Sequence, residues 1–78
     1  MYFVYSLESA DGIHWYIGFT EDVVRRLAEH NAGKSIHTNK FKPWTLKSYT
    51  AFADRNRAEA YEKYLKSHSG RAFARKHL

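Results

Sequence analysis

Residues 2–9 alternate aromatic and aliphatic side chains, the two-residue period of a strand. Asp11-Gly12 is a turn pair, and His14-Trp15-Tyr16-Ile17-Gly18-Phe19 reads as the strand that returns. The apolarity of the pair is nearly continuous, which predicts a hairpin covered on both faces. Thr20 stands where a helix N-cap belongs, followed by Glu21 and Asp22 at the positive end of the helix dipole. That helix is expected to run to about Ala32 and stop at Gly33, with Val23, Val24, Leu27 and Ala28 as its apolar arc. Asn31 falls inside the arc with no evident partner.

Residues 34–43 form a basic loop rich in Lys, Ser, Thr and Asn, closed by the only proline, Pro43. From Trp44 to Phe52 the alternation resumes, with Trp44, Leu46, Ser48, Thr50 and Phe52 on one side, and predicts a third strand. Asn56 and Glu59 have capping-box spacing and open a second long helix carrying Ala58, Tyr61 and Leu65 on one stripe. Gly70 is expected to break it, and Ser69 to cap a short last helix that holds Ala72 and Phe73. The order β-β-α-β-α-α predicts an α+β domain, a small three-stranded antiparallel sheet flanked by helices on two sides.

With 78 residues, about half the ~150 usual for one domain, residues 1–78 are expected to form a single domain. A chain that is 44% hydrophobic and 17% aromatic is not a disordered tail. No apolar run approaches the ~18–20 residues of a membrane span. The lack of Cys excludes a disulfide scaffold and a thiolate zinc site, and it fits a reducing, cytoplasmic setting. Domains this small rarely gain more than ~3–5 kcal/mol from one core, so the aromatics must supply dense packing.

Charge narrows the function. Thirteen Lys and Arg face eight Asp and Glu, a net charge of +5. Between Glu29 and Asp54 there is no acid, while Lys34, Lys40, Lys42 and Lys47 lie there. From Arg55 onward seven basic residues face only Glu59 and Glu62. Clustered basicity on an aromatic-rich domain points to a polyanion, most simply nucleic acid, rather than to a membrane.

A few polar residues sit where packing alone would not put them. Arg26 and His30, four apart, fall on one side of the first helix and border its apolar arc. Either they point together at one spot, or Arg26 lays its stem over apolar surface and His30 serves as a C-terminal helix charge. Glu62 lies about 40° from Ala58 and about 60° from Leu65 around the second helix, at the edge of the buried stripe. Its counter-charge is either Lys66, in an i,i+4 pair worth ~0.3–0.5 kcal/mol, or a divalent ion such as Mg²⁺. Tyr5 and Tyr16 lie on paired strands, where two phenols can approach each other. There is no glycine-rich phosphate loop, no His pairing suited to zinc and no serine nucleophile elbow.

Phe3-Val4-Tyr5, then Tyr16-Ile17-Gly18-Phe19-Thr20, then Arg26-Leu27 and His30-Asn31 resemble the GIY-YIG nuclease family. Lys42-Pro43-Trp44, Ala58, Glu62, Leu65-Lys66 and Gly70-Arg71 resemble its small stand-alone bacterial members. The first tripeptide lacks the leading glycine, and Phe19 stands where DNA-repair members carry a Lys. The resemblance implies hydrolysis of phosphodiester bonds in nucleic acid, probed best with branched or single-stranded DNA. It implies that Tyr5 and Tyr16 orient or deprotonate the attacking water, with Tyr16 the more natural base. Arg26 would hold the scissile phosphate, His30 would assist at the phosphate or in proton relay, and Glu62 would ligate one Mg²⁺ or Mn²⁺. Lys34, Lys40, Lys42 and Arg71 are the choices for backbone phosphate contacts. The competing reading is a nucleic-acid-binding module of the same fold without efficient cleavage, brought to its target by a protein partner.

Overall fold

The computed structural model describes residues 1–78. Strands β1 (Tyr2–Ser9), β2 (Trp15–Thr20) and β3 (Trp44–Phe52) form one antiparallel sheet in the order β2-β1-β3. Helix α1 (Val23–Asn31) follows β2, and α2 (Arg55–Leu65) and α3 (His68–His77) follow β3. The expected fold class, element order and sheet are therefore present. No helix is long and apolar enough to cross a membrane.

The hairpin turns where Asp11-Gly12 predicts. Gly12 adopts φ 74°, a region open to glycine without a Cβ penalty. The Asp11 carboxylate accepts from Ser9 Oγ and, at 2.9 Å, from Ile13 N. Beyond the turn β1 pairs with β2 as Phe3 with Thr20, Tyr5 with Gly18 and Leu7 with Tyr16.

β1 is the central strand and its alternation feeds two cores. Val4 packs with Ala58 and Leu65 of α2 and Ala74 of α3, joined by Ile17, Phe19, Phe52 and Tyr61. Tyr5 and Leu7 point the other way and pack with Trp44, Tyr16, Leu46 and Leu27 of α1. β3 serves both cores through a register shift. Ser6 pairs with Ser48, but Leu7 pairs with Leu46, so one residue is extra between them. The inward residues of β3 do alternate as expected, but the irregularity sends Trp44 and Leu46 to one core and Phe52 to the other.

Several boundaries differ from expectation, each for a local reason. Thr20 ends β2 instead of capping α1: it pairs with Phe3, and its Oγ1 accepts from Asp22 N at 3.1 Å. Asp22 is the cap, accepting from Arg25 N at 3.0 Å. At α2 the cap is Asp54, which accepts from Asn56 N at 2.9 Å. The Asn56–Glu59 box does not form, because Glu59 pairs with Arg55 at 2.9 Å. Ser67, not Ser69, separates the last helices, closing α2 on the Tyr64 carbonyl and capping α3 by accepting from Gly70 N. Gly70 breaks nothing. It is buried in α3, where a Cβ would overlap the Tyr64 carbonyl. Ala72 and Phe73 lie within α3 but are exposed, and Gly70 and Ala74 are its buried residues.

The largest difference concerns α1. Val24 is 81% exposed and Ala28 is exposed as well. The helix turns Val23, Arg26, Leu27 and His30 toward the sheet. Asn31 finds its partner in the backbone of Trp44, accepting from its N–H and donating to its carbonyl at 3.0 Å. That clasp pins the end of α1 to the start of β3.

Candidate active site

The two tyrosines share a face because Tyr5 pairs with Gly18 and Tyr16 lies two residues along the same strand. The Tyr5 ring lies across Gly18, where a Cβ would overlap the phenol oxygen and ring carbons. The phenol rings are 6.2 Å apart between centroids. Tyr5 is 2% exposed, whereas Tyr16 is half-buried and reaches the surface.

Helix α1 covers this face with Arg26 and His30. His30 has no exposed surface. Its Nε2 lies 2.9 Å from the Tyr5 hydroxyl and its Nδ1 lies 2.7 Å from Thr38 Oγ1. Its ring meets Tyr16 edge to face at 4.9 Å. Trp44 Nε1 donates to the Thr38 carbonyl at 2.9 Å, which holds the loop residue in place. Burial first, and then the Arg26 charge, push the His30 pKa below its ordinary value, so the imidazole is neutral. Burial is also the main cause that pushes the Tyr5 phenol up to about 12, followed by the charge of Tyr16, with Arg26 opposing.

Arg26 is half-buried and donates through Nη1 to Glu29 Oε1 at 3.0 Å. Its positive charge acts on both Tyr5 and Tyr16. Glu62 comes from α2, which packs on β1 and β2. Its side chain is 24% exposed, and Oε2 accepts from Lys66 Nζ at 3.0 Å. Its charge adds to those that raise the Tyr5 phenol.

Tyr5, Tyr16, Arg26 and His30 thus form one cluster, with Glu62 within electrostatic reach and hydrogen-bonded to Lys66 instead of to the other four. The reading of His30 as a C-terminal helix charge fails, because the imidazole is fully buried and neutral, while Arg26 borders the cluster with its guanidinium paired to Glu29. His30 presents no surface to solvent and meets the cluster through the Tyr5 hydroxyl and the Tyr16 ring.

No group of three or more His, Cys, Asp or Glu gathers anywhere in the chain. The donor set nonetheless fits a hard divalent ion. A partly exposed carboxylate is a sufficient protein anchor for Mg²⁺, which keeps water and substrate phosphate in its remaining positions.

A groove of about 630 Å³ runs from Tyr16 past Trp15 and Leu65, with Lys66, Arg71 and Arg75 along it. Arg71 lies here, while Lys34, Lys40 and Lys42 are exposed on the segment between α1 and β3. The hairpin end touches both regions: His14 stacks on Phe41 at 3.7 Å, and the neighbouring Gly12 and Ile13 border the groove with Arg71.

Sequence reasoning missed Thr38, Gly18 as the bed of the Tyr5 ring, and the basic contribution of Arg75. Nothing local marks Thr38, which sits in a stretch read only as a polar loop. The direct pairing of Tyr5 with Gly18 was recoverable by counting back from the turn.

Comparison with known proteins places these features in context. The family model described as the GIY-YIG catalytic domain matches residues 1–76. A UPF0213 protein of Halobacterium salinarum is 40% identical over 67 residues, covering 85% of this chain and 86% of that protein. One from Lacticaseibacillus paracasei is 44% identical over 66 residues, covering 83% and 73%. The solution NMR structure of the UPF0213 protein BH0048 from Bacillus halodurans superposes with a TM-score of 0.58 at 34% identity. That match covers 97% of this chain and 84% of the other.

Proposed function

The chain belongs to the GIY-YIG family, and on that premise we propose that it is a divalent-metal-dependent endonuclease that hydrolyses phosphodiester bonds in DNA. The observation that carries this reading is the joining of Tyr5, Tyr16 and His30 under α1, whose Arg26 charge acts on both phenols. A nuclease fold of this family implies nucleic acid as the partner, and the basic groove beside Tyr16 suits a phosphate backbone.

The roles follow from position. Tyr16, the phenol that reaches solvent, orients the attacking water and, in its phenolate form, takes the water's proton as the water oxygen bonds to phosphorus and the bond to the leaving oxygen breaks. Tyr5 is too buried and too weakly acidic for that task and holds the geometry behind it. Arg26 presents a guanidinium to the phosphate oxygens, where charge builds as the bond to the leaving oxygen breaks. Glu62 would hold Mg²⁺ or Mn²⁺, which when bound supplies Lewis-acid stabilisation of a phosphate oxygen and the leaving oxygen. Lys66, Arg71 and Arg75 line the strand's path along the groove, with Lys34, Lys40 and Lys42 exposed on the segment between α1 and β3.

Both reactive charges have partners in the free protein, Arg26 with Glu29 and Glu62 with Lys66. These are partly exposed pairs between adjacent helical turns. Solvent screens them, and a phosphodiester or a divalent ion competes for the same groups.

Incubation with branched and single-stranded DNA tests the reading directly. Cutting is expected in Mg²⁺ and absent in EDTA. Glu62→Ala and Arg26→Ala should each lower the rate about 10²–10³-fold while DNA binding persists and weakens steeply with salt. Salt-sensitive binding by all three proteins without any cutting would establish the binding module instead.

A further inference from the structure

Thr38 is 1% exposed, although it belongs to the segment that carries Lys34, Lys40 and Lys42. The roles above leave its hydroxyl unused. That hydroxyl is the partner of His30 Nδ1, and Tyr5 is the partner of Nε2. A neutral imidazole has a single N–H, so the partner at one nitrogen decides what the other can do.

Two arrangements are possible. With the proton on Nδ1, Thr38 accepts it and Nε2 accepts from the Tyr5 hydroxyl. The Tyr5 oxygen then keeps its lone pairs for Arg26, which has only donors. With the proton on Nε2, the imidazole takes a Tyr5 lone pair, and the phenol proton turns toward the guanidinium, donor against donor.

We propose that Thr38 is a positioning residue that accepts the His30 Nδ1 proton and thereby keeps the Tyr5 hydroxyl donating to Nε2, with its lone pairs left toward Arg26. The kinetic half of this inference rests on the nuclease reading, whereas the tautomer half stands without it. Because Trp44 Nε1 holds the Thr38 carbonyl, the segment with the exposed lysines and the phenol of β1 are joined by one chain of hydrogen bonds.

Nitrogen NMR of the full chain labelled in histidine reads the tautomer. The wild-type protein should carry the His30 proton on Nδ1, Thr38→Ser should keep it there, and Thr38→Val should move it to Nε2. A wild-type proton on Nε2 overturns the inference even if the valine variant fails to fold. In cleavage assays Thr38→Val should lower kcat about 10- to 100-fold with KM and DNA affinity unchanged, and Thr38→Ser should restore the rate. Full kcat in the valine variant with the proton moved would equally overturn it. If the wild-type protein does not cut, the nuclease reading falls, and the tautomer comparison alone decides the role of Thr38.

Discussion

The two sides of β1 are built from different materials. On the Val4 side the buried cluster is apolar throughout, with Ala58, Leu65 and Ala74 against the strand. On the Tyr5 side a smaller cluster of Tyr5, Leu7 and Trp44 is completed by His30 and Thr38, whose ring and hydroxyl are sealed from water. No buried side-chain nitrogen or oxygen lacks a hydrogen-bond partner. Apolar contact is forgiving about direction, so the first side chiefly contributes stability. A buried polar network is satisfied in few geometries, so the second side chiefly contributes order. One strand divides the labour by its two-residue alternation.

If this division is real, the sides must fail differently. The largest effect is expected from Leu65→Ala, which leaves a cavity in the apolar core and should cost about 2–5 kcal/mol. That approaches the whole stability expected of such a domain, ~3–5 kcal/mol, and urea unfolding would measure it. A loss below about 0.5 kcal/mol, as for a surface change, would mean that the α2 side is not the stabilising one. Gly18→Ala should act in the opposite proportion. Its methyl group displaces the Tyr5 ring at a cost of about 1–3 kcal/mol, while cleavage by the protein that remains folded should nearly vanish. Equal losses of fold and rate would erase the distinction.

The smallest effect is a pH dependence that belongs to the Tyr5 side. Burial lowers the folded-state pKa of His30 below 6.5, so the unfolded chain takes up this proton first as the pH falls. Its contribution to stability is whole above 6.5 and is lost as the pH drops through the folded value. Melting temperature should therefore decline as the pH falls below 6.5, and His30→Gln should flatten that slope. At the alkaline end Tyr5 acts with the reverse sign. Its stabilisation holds below 10.0 and is lost as the pH climbs through about 12.

The sequence made the strands legible because their signals are local, in alternation and turn residues. The candidate site residues were singled out mainly through family resemblance, since spacing on α1 left Arg26 and His30 open between packing and chemistry. The face of α1 was misread for the same reason. Hydrophobicity ranks Val24 and Ala28 above Arg26 and His30, but the inward direction was settled by what β1 and β2 offered, namely a phenol oxygen that needed a partner. Caps shifted because Thr20, Asn56 and Ser69 each had an acidic or hydroxyl neighbour that suited the N-terminal turn equally well. Thr38 was out of reach because its relation to His30 exists only after the loop folds back under Trp44.

The extra residue between Leu46 and Ser48 gives β3 two phases. Upstream of it the strand keeps time with the Tyr5 side of the sheet, downstream with the Val4 side. Exchange of one residue for another along β3 is thus a local matter, whereas adding or deleting one would swap which half each later side chain serves. Chain length across that point is a stricter requirement than composition.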